Sequence, residues 1–166
     1  MRAKRALWNI FLVAGTIMHA FPQDSAQIFD RRAFYLAMEQ NKMDLVDKQL
    51  SLLKAKPLSA GEQEAFVGAM TMKKAGLTGN PEKKLDLFKY GHKKLESAIH
   101  KDTVNPEFRF LRLMIQEHAP GALGYKSSLR TDSQYIRDAY RKLPKEVQEA
   151  VFKYSKKSKI LVLDAT

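Results

Sequence analysis

The chain contains no cysteine, which excludes a disulfide framework, a thiol nucleophile and a cysteine-ligated metal. Long apolar runs are missing as well. The longest, Ala6 to Met18, is broken by Asn9 and Thr16 and falls short of the roughly 20 residues that cross a bilayer. No Gly-x-Ser-x-Gly, phosphate-cradling glycine loop or His-Glu-x-x-His is present, so the common hydrolase, nucleotide and zinc-protease signatures are absent. No nucleic-acid-binding motif is present either. Convincing strand alternation is lacking, with one ambiguous stretch at Phe108-Arg-Phe-Leu-Arg-Leu113.

What remains is basic charge and helical periodicity. Lysine and arginine number 29 against 18 acids, a net +11 over 166 residues, enough for one domain with a real core. Part of that charge lies in Met1-Arg-Ala-Lys-Arg5, which precedes the apolar run and the polar-going His19-Ala20-Phe21-Pro22. This is the pattern of a secretory signal over residues 1–22, with an uncleaved membrane anchor as the alternative. Without Arg2, Lys4 and Arg5 the chain keeps 26 bases against 18 acids, still +8. The expected setting is therefore periplasmic or secreted, with one helical domain over residues 24–158 and an apolar tail over 159–166.

The clearest helices are central. Pro81–His100 places Leu85, Phe88, His92, Leu95, Ala98 and Ile99 on one face and lysines on the other. Asn80-Pro81 and Asn105-Pro106 are start signals, and Glu82 and Glu107 suit the positive end of each helix dipole. Pro106–His118 carries Phe108, Leu111, Met114 and Ile115 as its stripe. Upstream, the spacing predicts a helix over Ser25–Gln40 with Ala26, Phe29, Ala33, Leu36 and Ala37 inward and Ile28, Tyr35 and Met38 widening the stripe. A second follows with Met43, Val46, Leu50 and Leu53 inward, stopped by lysines and Pro57. A third opens at the capping box Ser59-Ala-Gly-Glu62 and buries Phe66, Ala69, Met70 and Leu77. Downstream, Ala119–Tyr125 reads as an elbow. Thr131-Asp-Ser-Gln134 reads as a second capping box, with Ile136, Ala139, Tyr140 and Leu143 inward. Pro144 opens a last helix with Val147, Ala150, Val151 and Tyr154 inward, and Ile160–Leu163 is read as a docked, strand-like arm. The fold class is all-α, an array of about six to seven antiparallel amphipathic helices.

Ser59–His100 followed by Pro106 resembles a tetratricopeptide-like unit. Ala98 stands where such repeats place a small residue late in the second helix, and Pro106 where a proline opens the next repeat. The Trp/Leu-Gly/Tyr positions of the first helix are not matched, and the resemblance covers about a quarter of the chain. Overall, Arg-Phe-Leu-Arg-Leu-x-Ile-Gln with the following Ala-Pro and Leu-Gly-Tyr is similar to a group of small secreted bacterial helical proteins that brings no activity with it. The tetratricopeptide resemblance implies a peptide or protein partner.

Arg109, Arg112 and Gln116 share one face of Pro106–His118. The plainer reading is a face salt-bridged to acids of a neighbouring helix. The functional one is a forked cationic patch for a carboxylate or an extended peptide, with Tyr125 as a lip. These four are the candidate partner-binding residues. His92 is expected in the core, and no histidines stand four apart on one helix face, so no metal or cofactor is expected. The function expected is a non-enzymatic binding or scaffold module. A small envelope hydrolase acting on glycan, or a basic protein held at an anionic envelope surface, is the alternative; nucleic acid is disfavoured.

Overall fold

Three asparagine and serine caps set the central architecture. In the computed structural model, which describes residues 29–55 and 58–163, the Asn80 side chain accepts from Lys83 N at 2.9 Å. That of Asn105 accepts from Glu107 N and Phe108 N, and Ser59 forms a full capping box with Glu62. Each satisfies amide groups that the first helical turn leaves without partners. The helices they open are α3 (Ala60–Leu77), α4 (Pro81–Lys101) and α5 (Pro106–His118). Before them come α1 (Arg31–Glu39) and α2 (Met43–Ala55); after them come α6 (Leu129–Ala139) and α7 (Lys145–Ser155). Short 3₁₀ turns occupy Gly121–Leu123 and Tyr140–Lys142. Among the described residues the chain is all-helical, with no strand. Residues 1–28, which hold the expected signal segment 1–22 and the start of the helix expected over Ser25–Gln40, lie outside the described residues, as do Lys56, Pro57 and residues 164–166 of the tail.

Side-chain bonds give the helix directions. Gln63 donates to Leu53 O at 3.0 Å and Lys74 pairs with Asp47, so α2 and α3 run antiparallel. Lys101 meets Glu64 at 2.7 Å while Gly91 meets Gly68, so α3 and α4 are antiparallel too. α1 lies alongside α7 in the same direction, bonded by Arg32 to Glu149 and by Glu39 to Lys153. In an open solenoid each unit touches only its neighbours. Here the first and last described helices meet, so the contacts establish the all-α class without establishing a tetratricopeptide-like stack.

α5 is the axis. Phe108, Phe110, Leu111, Leu113 and Met114 are all buried, so apolar side chains leave it in every direction rather than along one stripe. Phe110 packs on Tyr35 of α1 and Tyr154 of α7, while α3, α4 and α6 cover the remaining sides. This resolves the strand-like alternation at Phe108–Leu113: its residues face different helices. α3 is also covered on two sides, by α2 and α4.

Several expected positions shift. α1 begins at Arg31, capped by Asp30, and its fully buried residue is Phe34 while Leu36 is 43% exposed. Tyr35, Ala37 and Met38 are buried as expected, while Phe34, packed edge-on against Phe66, takes the inward place expected of Leu36. α6 starts two residues before Thr131, at Leu129, so Thr131-Asp-Ser-Gln134 lies inside the helix and caps nothing. Asp132 is instead drawn inward by arginines. Of the tail, Leu161 is fully buried. It docks without strand pairing, through Ser133 Oγ donating to Ile160 O at 2.9 Å and Lys159 N to Glu117 at 2.7 Å.

Candidate functional site

The four residues singled out by the sequence converge on the interface of α4, α5 and α6. Arg112 forks onto Asp132, Nε to Oδ2 at 2.7 Å and Nη2 to Oδ1 at 2.8 Å, and its Nη1 reaches Glu96 at 2.8 Å. Arg109 adds a bond to Asp132 at 3.0 Å, donates to Thr103 O, and lies over the Tyr135 ring. The Tyr125 hydroxyl donates to the other oxygen of Glu96. Burial, then the adjacent Glu96 charge, pushes the Tyr125 hydroxyl pKa up. For Arg112, burial works against the charge, but Asp132 and Glu96 outweigh it and hold the guanidinium above its ordinary value. Gln116 is buried beside this network, and its Oε1 has no hydrogen-bond partner among the described residues. The arginine face is therefore salt-bridged to neighbouring helices. It presents no open fork.

The opposite face of α5 is where open space lies. A groove of about 750 Å³ runs between α1, α3, α4, α5, the elbow and α7. Its floor is Met38, Met72 and Met114, all buried. Its walls are Leu77, Leu85, Phe88 and Ile115, and its lip is Pro120, Ala122 and Leu123 of the elbow. The first half of α4 forms one side of the groove: none of Pro81–Tyr90 is buried, although Leu85 and Phe88 sit on the face expected to be core. Leu85 is 42% exposed and Leu123 39% exposed, facing the opening rather than packed away. The lip is braced from behind, since Tyr125 packs edge-on against Phe88 and His92. His92 is partly buried in this contact. The Gly124 φ of +63° supplies the left-handed turn that brings the chain from lip to brace.

The groove's charged residues are three lysines, Lys73, Lys84 and Lys157, and one acid, Glu39. Glu39 is already shared by Lys153 at 2.7 Å and Lys157 at 3.6 Å. Lys73 donates to Asn41 Oδ1 at 2.9 Å. Among the described residues neither Lys73 nor Lys84 has a carboxylate within ion-pair distance. Burial, and then the charge of Lys157, holds the Lys73 amine below its ordinary value of 10.5.

A second, smaller recess of about 380 Å³ lies by the N-terminus of α5, lined by Arg31, Glu62, Asp102, Glu107 and Lys142 among others. Arg31 braces two of the three acids there, Glu62 at 2.6 Å and Glu107 at 3.1 Å, and the Tyr35 hydroxyl donates to Glu107 at 2.9 Å. Burial pushes the Glu107 carboxyl up despite Arg31. Among the described residues no group of three or more histidines and acids could hold a metal ion. No described helix is long and apolar enough to cross a membrane.

No family model, curated protein or solved structure matches this chain.

On α5, Met114, Ile115 and His118 line the groove, while Arg109 and Arg112 bond Asp132 of α6. The sequence singled out Arg109, Arg112, Gln116 and the elbow residue Tyr125; the groove residues Leu85, Phe88, Met114 and Ile115 were read only as an apolar core stripe.

Proposed function

We propose that this chain is a non-enzymatic helical binding module that holds an apolar segment of a peptide or protein partner in the methionine-floored groove. One observation carries this: a groove of about 750 Å³ with buried methionines beneath and half-exposed Leu85 and Leu123 at its mouth. Methionine is unbranched and polarizable, and adapts to varied apolar surfaces. A helix laid in a groove by its apolar face is a recurring mode of peptide recognition. Arg109, Arg112, Gln116 and Tyr125 serve this site indirectly, by fixing α6 and the elbow that forms its lip. An exported location, as read from residues 1–22, belongs to the same proposal. The glycan-hydrolase alternative has weaker support, because Glu62 and Glu107 are both tied to Arg31.

The test is binding of a fluorescent amphipathic helical peptide of about 18 residues, long enough to form a helix. Leu85→Ala combined with Leu123→Ala weakens its binding about tenfold, from the apolar area lost at the mouth. Unchanged affinity in that double variant overturns the groove as the site.

A further inference from the structure

We propose that the groove selects an acidic segment: an amphipathic helix whose apolar face covers Met38, Met72 and Met114 and whose carboxylates meet Lys73, Lys157 and Lys84. This rests on the groove being the partner site and adds what the partner must carry.

The argument is one of unmatched charge. Three lysines line the groove, Lys73, Lys84 and Lys157. Glu39 is the one acid in its lining, and it is shared by two lysines. Lys73 is partly buried, has only the neutral Asn41 oxygen as partner, and stands close enough to Lys157 to feel its charge. Ammonium groups lining one apolar groove repel, and that repulsion is relieved by an anion placed near them. A carboxylate arriving there meets Lys73 and Lys84, which no acid among the described residues pairs, and Lys157, which Glu39 holds only at 3.6 Å.

The groove's shape favours a helix over a single acyl chain. An acyl chain is best covered by an enclosing tunnel, whereas Leu85 and Leu123 present apolar area outward on either side of an open trough. That suits a broad apolar stripe with charge along its border. Charge pairing at the border then sets specificity and association rate, while the apolar floor supplies most of the affinity.

Three labelled peptides of about 18 residues share one leucine face and carry Glu, Gln or Lys at the flanking positions. The Glu peptide binds the wild type about fivefold tighter than the Gln peptide, as expected for partly buried ion pairs, and the Lys peptide binds weakest. Raising salt from about 50 mM to about 300 mM narrows the Glu preference. Lys73→Gln with Lys157→Gln abolishes it; Lys84→Gln, at an exposed position without an ion pair, reduces it without touching the fold. Leu85→Ala with Leu123→Ala weakens all three peptides alike. Equal affinity for the Glu and Gln peptides, both weakened by the leucine variant, overturns acid selection and leaves the groove as the site. Failure of the leucine variant to weaken any peptide overturns the groove itself. Phosphatidylglycerol vesicles that bind through Lys73 and Lys157 while the Glu peptide does not would assign the lysines to a lipid surface and overturn the proposal.

Discussion

Gly68 and Gly91 stand backbone against backbone where α3 crosses α4. A Cβ added to Gly91 would sit 2.6 Å from the Gly68 carbonyl oxygen and 2.8 Å from Met72 Cγ, and one added to Gly68 would sit 2.7 Å from Leu95 N. Such distances require the helices to part. Met72, which an added Gly91 Cβ would strike, also lines the groove.

Gly91→Val therefore destabilises the domain. Overpacking at a rigid contact costs about 1–3 kcal/mol, and valine adds a small helix penalty. Gly76 is the contrast: it lies in the same α3 with nothing within 4 Å of an added Cβ. Gly76→Ala raises stability by about 0.5–1 kcal/mol, since alanine is the better helix former. Chemical denaturation of the two variants separates packing from propensity. Equal effects of the same sign would show that the crossing is not tight.

Arg112→Ala leaves Asp132, which is fully buried, facing only Arg109. Removing one member of a buried ion pair costs about 3–5 kcal/mol, because the remaining charge has lost its compensation. Arg112→Lys rescues little of this, since one ammonium cannot fork onto both Asp132 oxygens and reach Glu96 as well. A urea midpoint close to wild type in Arg112→Ala would show that solvent reaches Asp132 and that the network is not a lock.

The spacing of Arg109, Arg112 and Gln116 is legible because it lies within one helix. Their partner was not, because Asp132 is brought to Arg112 by α6, and locally it looked like part of a helix cap. The true caps at Ser59, Asn80 and Asn105 could be read from sequence, since each acts on amides two or three residues away. The Leu85 and Phe88 stripe was legible as apolar, but whether an apolar stripe is covered depends on what lies opposite. Nothing in the sequence of α4 records that its first turns line an open groove. The groove draws on five helices and an elbow, so no single spacing encodes it.

Gln116→Leu raises stability. Its Oε1 is buried without a partner among the described residues, and an unsatisfied buried acceptor costs about 1–3 kcal/mol. Leucine of similar size removes that cost and keeps the volume, so the expected gain is about 1 kcal/mol. Thermal unfolding of the single variant checks it. A loss instead of a gain would mean that the Gln116 amide makes a bond the fold needs.

Glu117 gives the domain part of its acid sensitivity. Burial pushes its carboxyl up, but the Ser158 hydroxyl, the Lys159 amide and the Tyr154 hydroxyl together hold it below its ordinary value of 4.5. These bonds tie the end of α5 to α7 and the tail. A carboxyl whose folded pKa is depressed binds its proton more tightly in the unfolded chain. Its stabilisation is thus complete above the unfolded value and is lost as pH falls through the folded one. Glu62 acts in the same direction through Ser59 and Arg31. Glu107, pushed up by burial, acts in the opposite direction, favouring the folded state at lower pH. Glu117→Gln isolates one contribution. At about pH 7 its urea midpoint lies below wild type, and the two converge as pH falls below 4.5 and through the depressed folded-state value of the carboxyl. A gap that stays constant across that range would assign the effect to lost packing of the tail rather than to the charge on Glu117.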